Sequence, residues 1–134
     1  MPQAMALDFG LKRTGIAVTD DLKMIASGLK TVETKALMNF LETYFSNFEV
    51  DELVIGQPKH VDGQLMALER NILWFIEDLK KQFPHLKIIR IDERYTSKMA
   101  SQAIALSGLK NKKKQSKALI DEISATLILQ DYLN

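Results

Sequence analysis

Asp8 follows the apolar run Ala4-Met5-Ala6-Leu7 and precedes Phe9-Gly10, so a carboxylate ends a segment whose composition suits burial. Removing that charge from water is costly unless a cation or hydrogen bonds compensate it. The plain alternative is an acid that caps a turn. Gly10, Lys12, Arg13 and Gly15 lie close by, and a glycine-rich basic turn beside an acid suits a phosphate together with its metal. Asp92-Glu93-Arg94 leaves the end of Ile88-Ile89-Arg90-Ile91 in the same way. Successive strand side chains alternate faces, so Asp92 and Glu93 cannot both reach one point while strand geometry persists. Arg94 is either a bidentate phosphate clamp or an ion-pair partner of its neighbours. Asp121 has Ser124 and Ala125 at i+3 and i+4, a small-residue face that permits close approach to a sheet, whereas Glu122 is expected to point more toward solvent. An ordinary first-turn acid favoured by the helix macrodipole would look the same.

Acids from two strand ends and one helix form the oxygen donor set that magnesium or manganese requires. Ions roughly 4 Å apart in such a set activate a water and stabilise the leaving oxygen of a phosphodiester. The composition agrees with this by exclusion. The chain has no cysteine, hence no disulfide, zinc thiolate or thiol nucleophile, and its only histidines are His60 and His85.

At 134 residues, 46% hydrophobic and 26% charged, the chain is expected to form one globular domain over 1–134. No apolar run approaches the length that spans a bilayer, and the N-terminus lacks the pattern of a secretory signal, so the expected location is the cytoplasm. The net charge of +1 hides an asymmetry. Between Arg94 and Ile120 lie seven basic residues (Arg94, Lys98, Lys110, Lys112, Lys113, Lys114 and Lys117) and no acid. Such a segment either attracts a phosphate backbone or is a solvated loop.

The elements that must position these groups follow from periodicity. Ala4–Phe9 and Thr14–Thr19 read as a hairpin, with Met24–Val32 as a third antiparallel strand. Thr34 is placed to cap a helix over about 35–47. Glu52–Gly56 is a short buried strand ending in Gly-Gln-Pro, and Gln64–Gln82 is an amphipathic helix stopped by Pro84. Leu86–Ile91 is a further strand, Thr96 or Ser97 caps a helix through about Leu106, and the lysine run is a loop. Ser116–Leu133 is the last helix, with Ile120, Ile123, Leu127 and Ile128 inward. Trp74, Phe75 and Phe83 read as core or helix packing. The expected fold class is an α/β sandwich with a mixed sheet.

Taken together, the blocks Asp8-Phe-Gly-Leu-Lys-Arg-Thr-Gly-Ile-Ala-Val-Thr-Asp20, Gly56-Gln-Pro-Lys-His-Val-Asp-Gly63, Asp92-Glu-Arg-Tyr-Thr-Ser97 and Asp121-Glu-Ile-Ser-Ala125 resemble the YqgF, or RuvX, family over essentially the whole chain. The resemblance implies an RNase H-like fold, a five-stranded mixed sheet with flanking helices. It also implies nuclease activity on the precursor of 16S rRNA or on Holliday junctions, and an acidic triad of Asp8, Glu93 and Asp121 holding Mg2+ or Mn2+, with Asp92 the alternative to Glu93. Related resolvases carry an acid where this chain has Gly56-Gln57-Pro58. If the strand ending at Ile91 lies outside the one ending at Gly56, its acid must cross roughly 10 Å toward Asp8. Glu93 has the longer side chain for that, and Gly56 leaves the path open.

The leading expectation is a metal-dependent nuclease for structured RNA. Lys12, Arg13, Arg94, Lys110, Lys112, Lys113, Lys114 and Lys117 would bind the nucleic acid. Its partner would be an RNA precursor rather than a DNA junction, with a ribosome precursor as the setting, no membrane, and a monomeric or homodimeric state. The competing readings are a junction resolvase, which needs a dimer for symmetric incisions, a non-catalytic nucleic-acid or ribosome-assembly module, and a nucleotide-binding protein. The last is suggested by Asp8-x-Gly-x-x-x-x-Gly15, a pattern similar to the phosphate loop of actin-like kinases, but one domain leaves nothing to close over ATP. His60 is expected at the surface, Asp62-Gly63 in a turn, and Tyr95 either buried or stacked on an unpaired base.

Overall fold

The computed structural model describes residues 2–59, 66–93 and 113–134, with side chains of the last segment described from Lys117 onward. Five strands, β1 (Gln3–Phe9), β2 (Arg13–Thr19), β3 (Ala26–Glu33), β4 (Val50–Gln57) and β5 (Lys87–Asp92), form one sheet in the order β3-β2-β1-β4-β5. The β1–β2 and β2–β3 pairs are antiparallel, and the β1–β4 and β4–β5 pairs parallel. Helices α1 (Leu37–Asn47), α2 (Leu68–Gln82) and α3 (Lys113–Leu133) are the described α-helices. This is the mixed five-stranded α/β sheet with flanking helices that the sequence implies, and it is compatible with an RNase H-like fold. No described helix is long and apolar enough to cross a membrane.

Strand alternation divides the interior into two unlike layers. Met5, Leu7 and Phe9 of β1 pack with Leu37 and Leu41 of α1 and Ile72, Ile76 and Leu79 of α2, a layer of large side chains. Ala4 and Ala6 face the other way, with Ala17, Val54 and the α3 residues Ala125, Ile128 and Leu129. This second layer is thin because its strand residues are small. It rotates α3 relative to expectation: Ser124, Ala125, Ile128 and Leu129 are covered, whereas Ile120, Ile123 and Leu127 are only half-buried. Glu122 is half-buried as well, not turned to solvent, because it lies over Gly28 of β3.

Other boundaries also shift. Lys113 and Lys114 begin α3 instead of lying in a loop, as suits a run of good helix formers. Thr34 caps nothing. It starts a 3-10 turn, Thr34–Ala36, that precedes α1. Its hydroxyl donates to the Gly10 carbonyl at 2.6 Å and lies 2.9 Å from the Thr14 hydroxyl, and its N–H donates to the Lys12 carbonyl at 2.9 Å. The end of β3 is thereby pinned to the β1–β2 turn that carries Lys12 and Arg13. Trp74 stands 63% exposed on α2, while Phe75 and Phe83 pack against the large-residue layer as expected. The helix expected to begin at Thr96 or Ser97, and His60, Asp62, Gly63 and Tyr95, lie outside the described residues.

Candidate active site

Asp8 shares the parity of Ala4 and Ala6, so its side chain belongs to the α3 side of the sheet. Its cross-strand partner on β2 is Gly15. A Cβ built on Gly15 would overlap the Asp121 carbonyl and come within 3.0 Å of the Asp121 Cβ. Only a residue without a side chain lets α3 descend that far, and the descent brings Asp121 beside Asp8. The glycine read as part of a basic turn is therefore the seat of the last helix.

Glu93 arrives from the other direction. Ile89 and Ile91 of β5 pack in the α3 layer, and continuing the alternation puts Glu93 on the same face. Pairing persists one residue past β5, since the Glu93 N–H donates to the Gln57 carbonyl at 3.2 Å. Between β5 and β1 lies β4, and there Gly56 opens the way: a Cβ on it would fall on the Glu93 carboxylate and 2.9 Å from Ile128 Cδ1. Glu93 thus spans β4 to meet Asp8, and the two carboxyls share a hydrogen bond. Asp92 has the opposite parity and lies 3.6 Å from the Lys59 ammonium. Of the two acids left open by the sequence, Glu93 is the one brought to Asp8.

Desolvation is the largest influence on both carboxyls. It raises Asp8 to about 6, an effect the hydrogen bond from Glu93 opposes and the charge of Asp121 reinforces. Glu93 is pushed up to about 9, first by burial and then by the charge of Asp8. The pair holds one proton at neutral pH, because two carboxylates in contact away from water cannot both ionise. Ser124, fully buried, sits near enough to ease the Asp8 pKa downward, yet its Oγ has no hydrogen-bond partner of sound geometry among the described residues.

Asp121 is adjacent to Asp8 but engaged elsewhere. Its Oδ2 accepts from Arg13 Nε at 2.9 Å. Among the described residues no three acids or histidines close on a common point at metal-binding distance. The donor set nevertheless fits a hard divalent cation. It consists of carboxylate oxygens, two of them from carboxyls that share a proton a cation would replace, beside the buried Ser124 hydroxyl.

Behind the pair, Arg90 of β5 forks onto Glu69 of α2, with Nη1 to Oε2 at 2.8 Å and Nη2 to Oε1 at 2.6 Å. It also donates to the Ile55 and Gly56 carbonyls, each at 3.2 Å. The Arg90 guanidinium holds the Glu69 carboxyl below its ordinary range. The clamp fixes the ends of β4 and β5 relative to each other, which fixes where Glu93 begins. Glu69 is 6% exposed, so Glu69→Gln is expected to cost about 3 kcal/mol in urea unfolding by leaving the guanidinium without its counter-charge. The double variant Glu69→Leu/Arg90→Met should recover most of that loss.

Of the basic residues expected to meet nucleic acid, Lys12 and Arg13 line an open cleft of about 500 Å³ with Leu11, Glu33 and Lys35. Nothing in the sequence marks Lys35 beyond its place directly after Thr34. Lys117 is exposed on α3. Lys113 and Lys114 lie in the first turn of α3, and Arg94, Lys110 and Lys112 fall outside the described residues.

Residues 2–134 match the model of the family described as "RuvX: Holliday junction resolvase". A protein of Christiangramia forsetii named "Putative pre-16S rRNA nuclease" is 53% identical over 133 residues, spanning 99% of this chain and 98% of that protein. Proteins of the same name from Flavobacterium johnsoniae (50% identical, 100% of this chain and 97% of that protein) and Bacteroides thetaiotaomicron (47%, 99% and 96%) are similarly close. A family model matched over residues 2–134 and relatives near half identity over almost their whole length show that the chain belongs to the RuvX family.

Proposed function

We propose that this chain is a metal-dependent phosphodiester hydrolase that cleaves structured RNA, with trimming of the 5′ end of the 16S rRNA precursor as its role in ribosome biogenesis in the cytoplasm. The observation that carries this reading is the meeting of Asp8 and Glu93 across Gly56, on the face where Asp121 is seated by Gly15. Asp8, Glu93 and Asp121 are the residues that would hold Mg2+ or Mn2+. The metal would supply a water activated for attack and charge stabilisation at the leaving oxygen.

The chain's own residues do the rest. Glu93 holds the proton of the acid pair until a cation takes its place. Lys12 and Lys35 line the approach to the site and attract phosphates, and Arg13, with a planar donor fork, is the residue of that cleft suited to grip one. The names of the relatives favour an RNA precursor as substrate, while the family description favours a four-way DNA junction. Symmetric junction cutting needs two copies, so this second reading goes with a homodimer.

The test is cleavage of precursor 16S rRNA, single-stranded RNA and a four-way DNA junction with Mn2+ or Mg2+, by the wild type, Asp8→Asn and Asp121→Asn. Cleavage of the precursor that both variants lose while keeping nucleic-acid binding is the expected result. Equal residual activity in all three proteins would identify a contaminating nuclease and remove the enzyme reading.

A further inference from the structure

We propose that Arg13 is a positioning residue that holds Asp121 off the metal site until a substrate phosphate draws its guanidinium away, so that nucleic acid and metal bind cooperatively. The inference rests on the metal reading above.

The acids of the site are not equally available. Asp8 and Glu93 touch each other, whereas Asp121 Oδ2 is taken by Arg13 Nε at 2.9 Å. The two residues come from opposite sides of the Gly15 contact, Arg13 from the first position of β2 and Asp121 from α3, 108 positions apart in sequence. Arg13 is 40% exposed and Asp121 20% exposed, so the pair lies at the rim of the site, between the acids and the cleft lined by Leu11, Lys12, Glu33 and Lys35. Among the described residues that cleft is lined by three cationic side chains, Lys12, Arg13 and Lys35, and one acid, Glu33, and Arg13 lines it while Asp8 does not.

A half-exposed ion pair made through one guanidinium nitrogen holds weakly. A phosphate offers the same group a bidentate partner, which is both stronger and geometrically better matched. Once Arg13 turns to phosphate, Asp121 is left beside Asp8 without an ion-pair partner among the described residues, and a divalent cation would supply the positive charge. The coupling runs in both directions by linkage: a metal that recruits Asp121 frees Arg13 for phosphate, and the diester that recruits Arg13 frees Asp121 for metal. Thr34, by pinning the β1–β2 turn, keeps Arg13 within reach of both partners.

The experiment is a set of Mn2+ titrations by calorimetry on the full chain: wild type, Asp121→Asn, Arg13→Gln, the double variant and Asp8→Asn, each with and without a short uncleavable phosphorothioate RNA. In free wild type, Asp121→Asn is expected to change the Mn2+ Kd less than about twofold, because Asp121 is held by Arg13. In the Arg13→Gln background, or with the RNA bound, the same substitution should weaken Mn2+ about fivefold or more. An equal cost of Asp121→Asn in the wild-type and Arg13→Gln backgrounds, with Mn2+ binding still dependent on Asp8, overturns the latch and leaves the metal reading standing. Mn2+ binding that Asp8→Asn does not weaken in any background overturns both. A measurement on the unaltered chain guards against misfolding of the Arg13 variant: the Arg13 Nε–Hε NMR signal should move when the RNA is added without metal, and a signal that stays in place while the RNA binds overturns the proposal.

Discussion

Replacing Glu93 with glutamine is expected to make the metal-free protein more stable at pH 8 while cutting metal-dependent cleavage on the order of 10²–10³-fold. The stability half follows from the raised pKa. Glu93 titrates near 4.5 in an unfolded chain and near 9 in the folded one. Between those values the folded state keeps a proton that the unfolded state has released, so stability falls as pH rises through this window and is fully present only below it. Asp8, raised to about 6, adds a decline in the same direction over the lower part of the range. Glutamine keeps the length and a hydrogen-bond donor for Asp8 without the proton to lose. Its expected gain at pH 8 is on the order of 2 kcal/mol, vanishing near pH 4. Thermal unfolding at pH 4, 6 and 8 with chelator present measures it. Adding Mn2+ should reverse the ranking, since the wild type gains a bound cation and the variant loses a ligand. A variant less stable than wild type at pH 8 without metal would mean that Glu93 is not protonated beside Asp8. One that cleaves at the wild-type rate would remove Glu93 from the metal set.

The second large effect is expected at Gly15. Gly15→Ala places a methyl group on the Asp121 carbonyl, and a helix backbone cannot turn aside as the end of a side chain can. Helix α3 must rise from the sheet, opening the layer formed by Ala4, Ala6, Ala17 and Ala125. The expected cost is about 3 kcal/mol or more, a drop in Tm of roughly 10 °C, with weakened metal binding because Asp121 is carried away from Asp8. Gly28→Ala is the informative control. It lies under the same helix, but its added Cβ would meet Glu122 Cβ and Thr126 Oγ1 at 3.4 Å, ordinary contact distance, so its cost should be within about 1 kcal/mol. Equal effects at the two glycines would show that strand propensity, not helix seating, sets the penalty at Gly15.

Much of the site could be read before the fold. An acid ending an apolar strand singles out Asp8 and a small-residue helical face singles out Asp121, but spacing alone leaves each an ordinary alternative, and it is the family resemblance that joins them in one acidic set. The choice between Asp92 and Glu93 could not be made that way, because parity within β5 says only that they face oppositely; which face carries Asp8 depends on the pairing of β4 between β1 and β5. Arg90 held a clue, since it shares the parity of Asp92 and finds its buried partner, Glu69, on the α2 side. That partner is 21 residues away and invisible to periodicity. Thr34 misled for a related reason: its type and position suit an N-cap, but the carbonyl of Gly10, brought close only by the hairpin, is the acceptor its hydroxyl finds. The lysine run reads as a loop together with Ser107-Gly108, although the helix propensity of lysine suits Lys113 and Lys114 to the start of α3. Trp74 fits the helical apolar pattern by type and falls outside it by angle.

The two unlike layers carry a consequence for how this protein can change. On the side of α1 and α2, large aliphatic and aromatic residues fill a thick interior in which one shape can be exchanged for another of equal volume. On the side of α3, the spacing is set by Gly15 and a row of alanines, and enlargement at these positions pushes on the helix that carries Asp121. Random substitution across the sheet should therefore give a lopsided map, permissive behind the strands and intolerant in front of them. A designer seeking a more thermostable variant should work entirely on the permissive side.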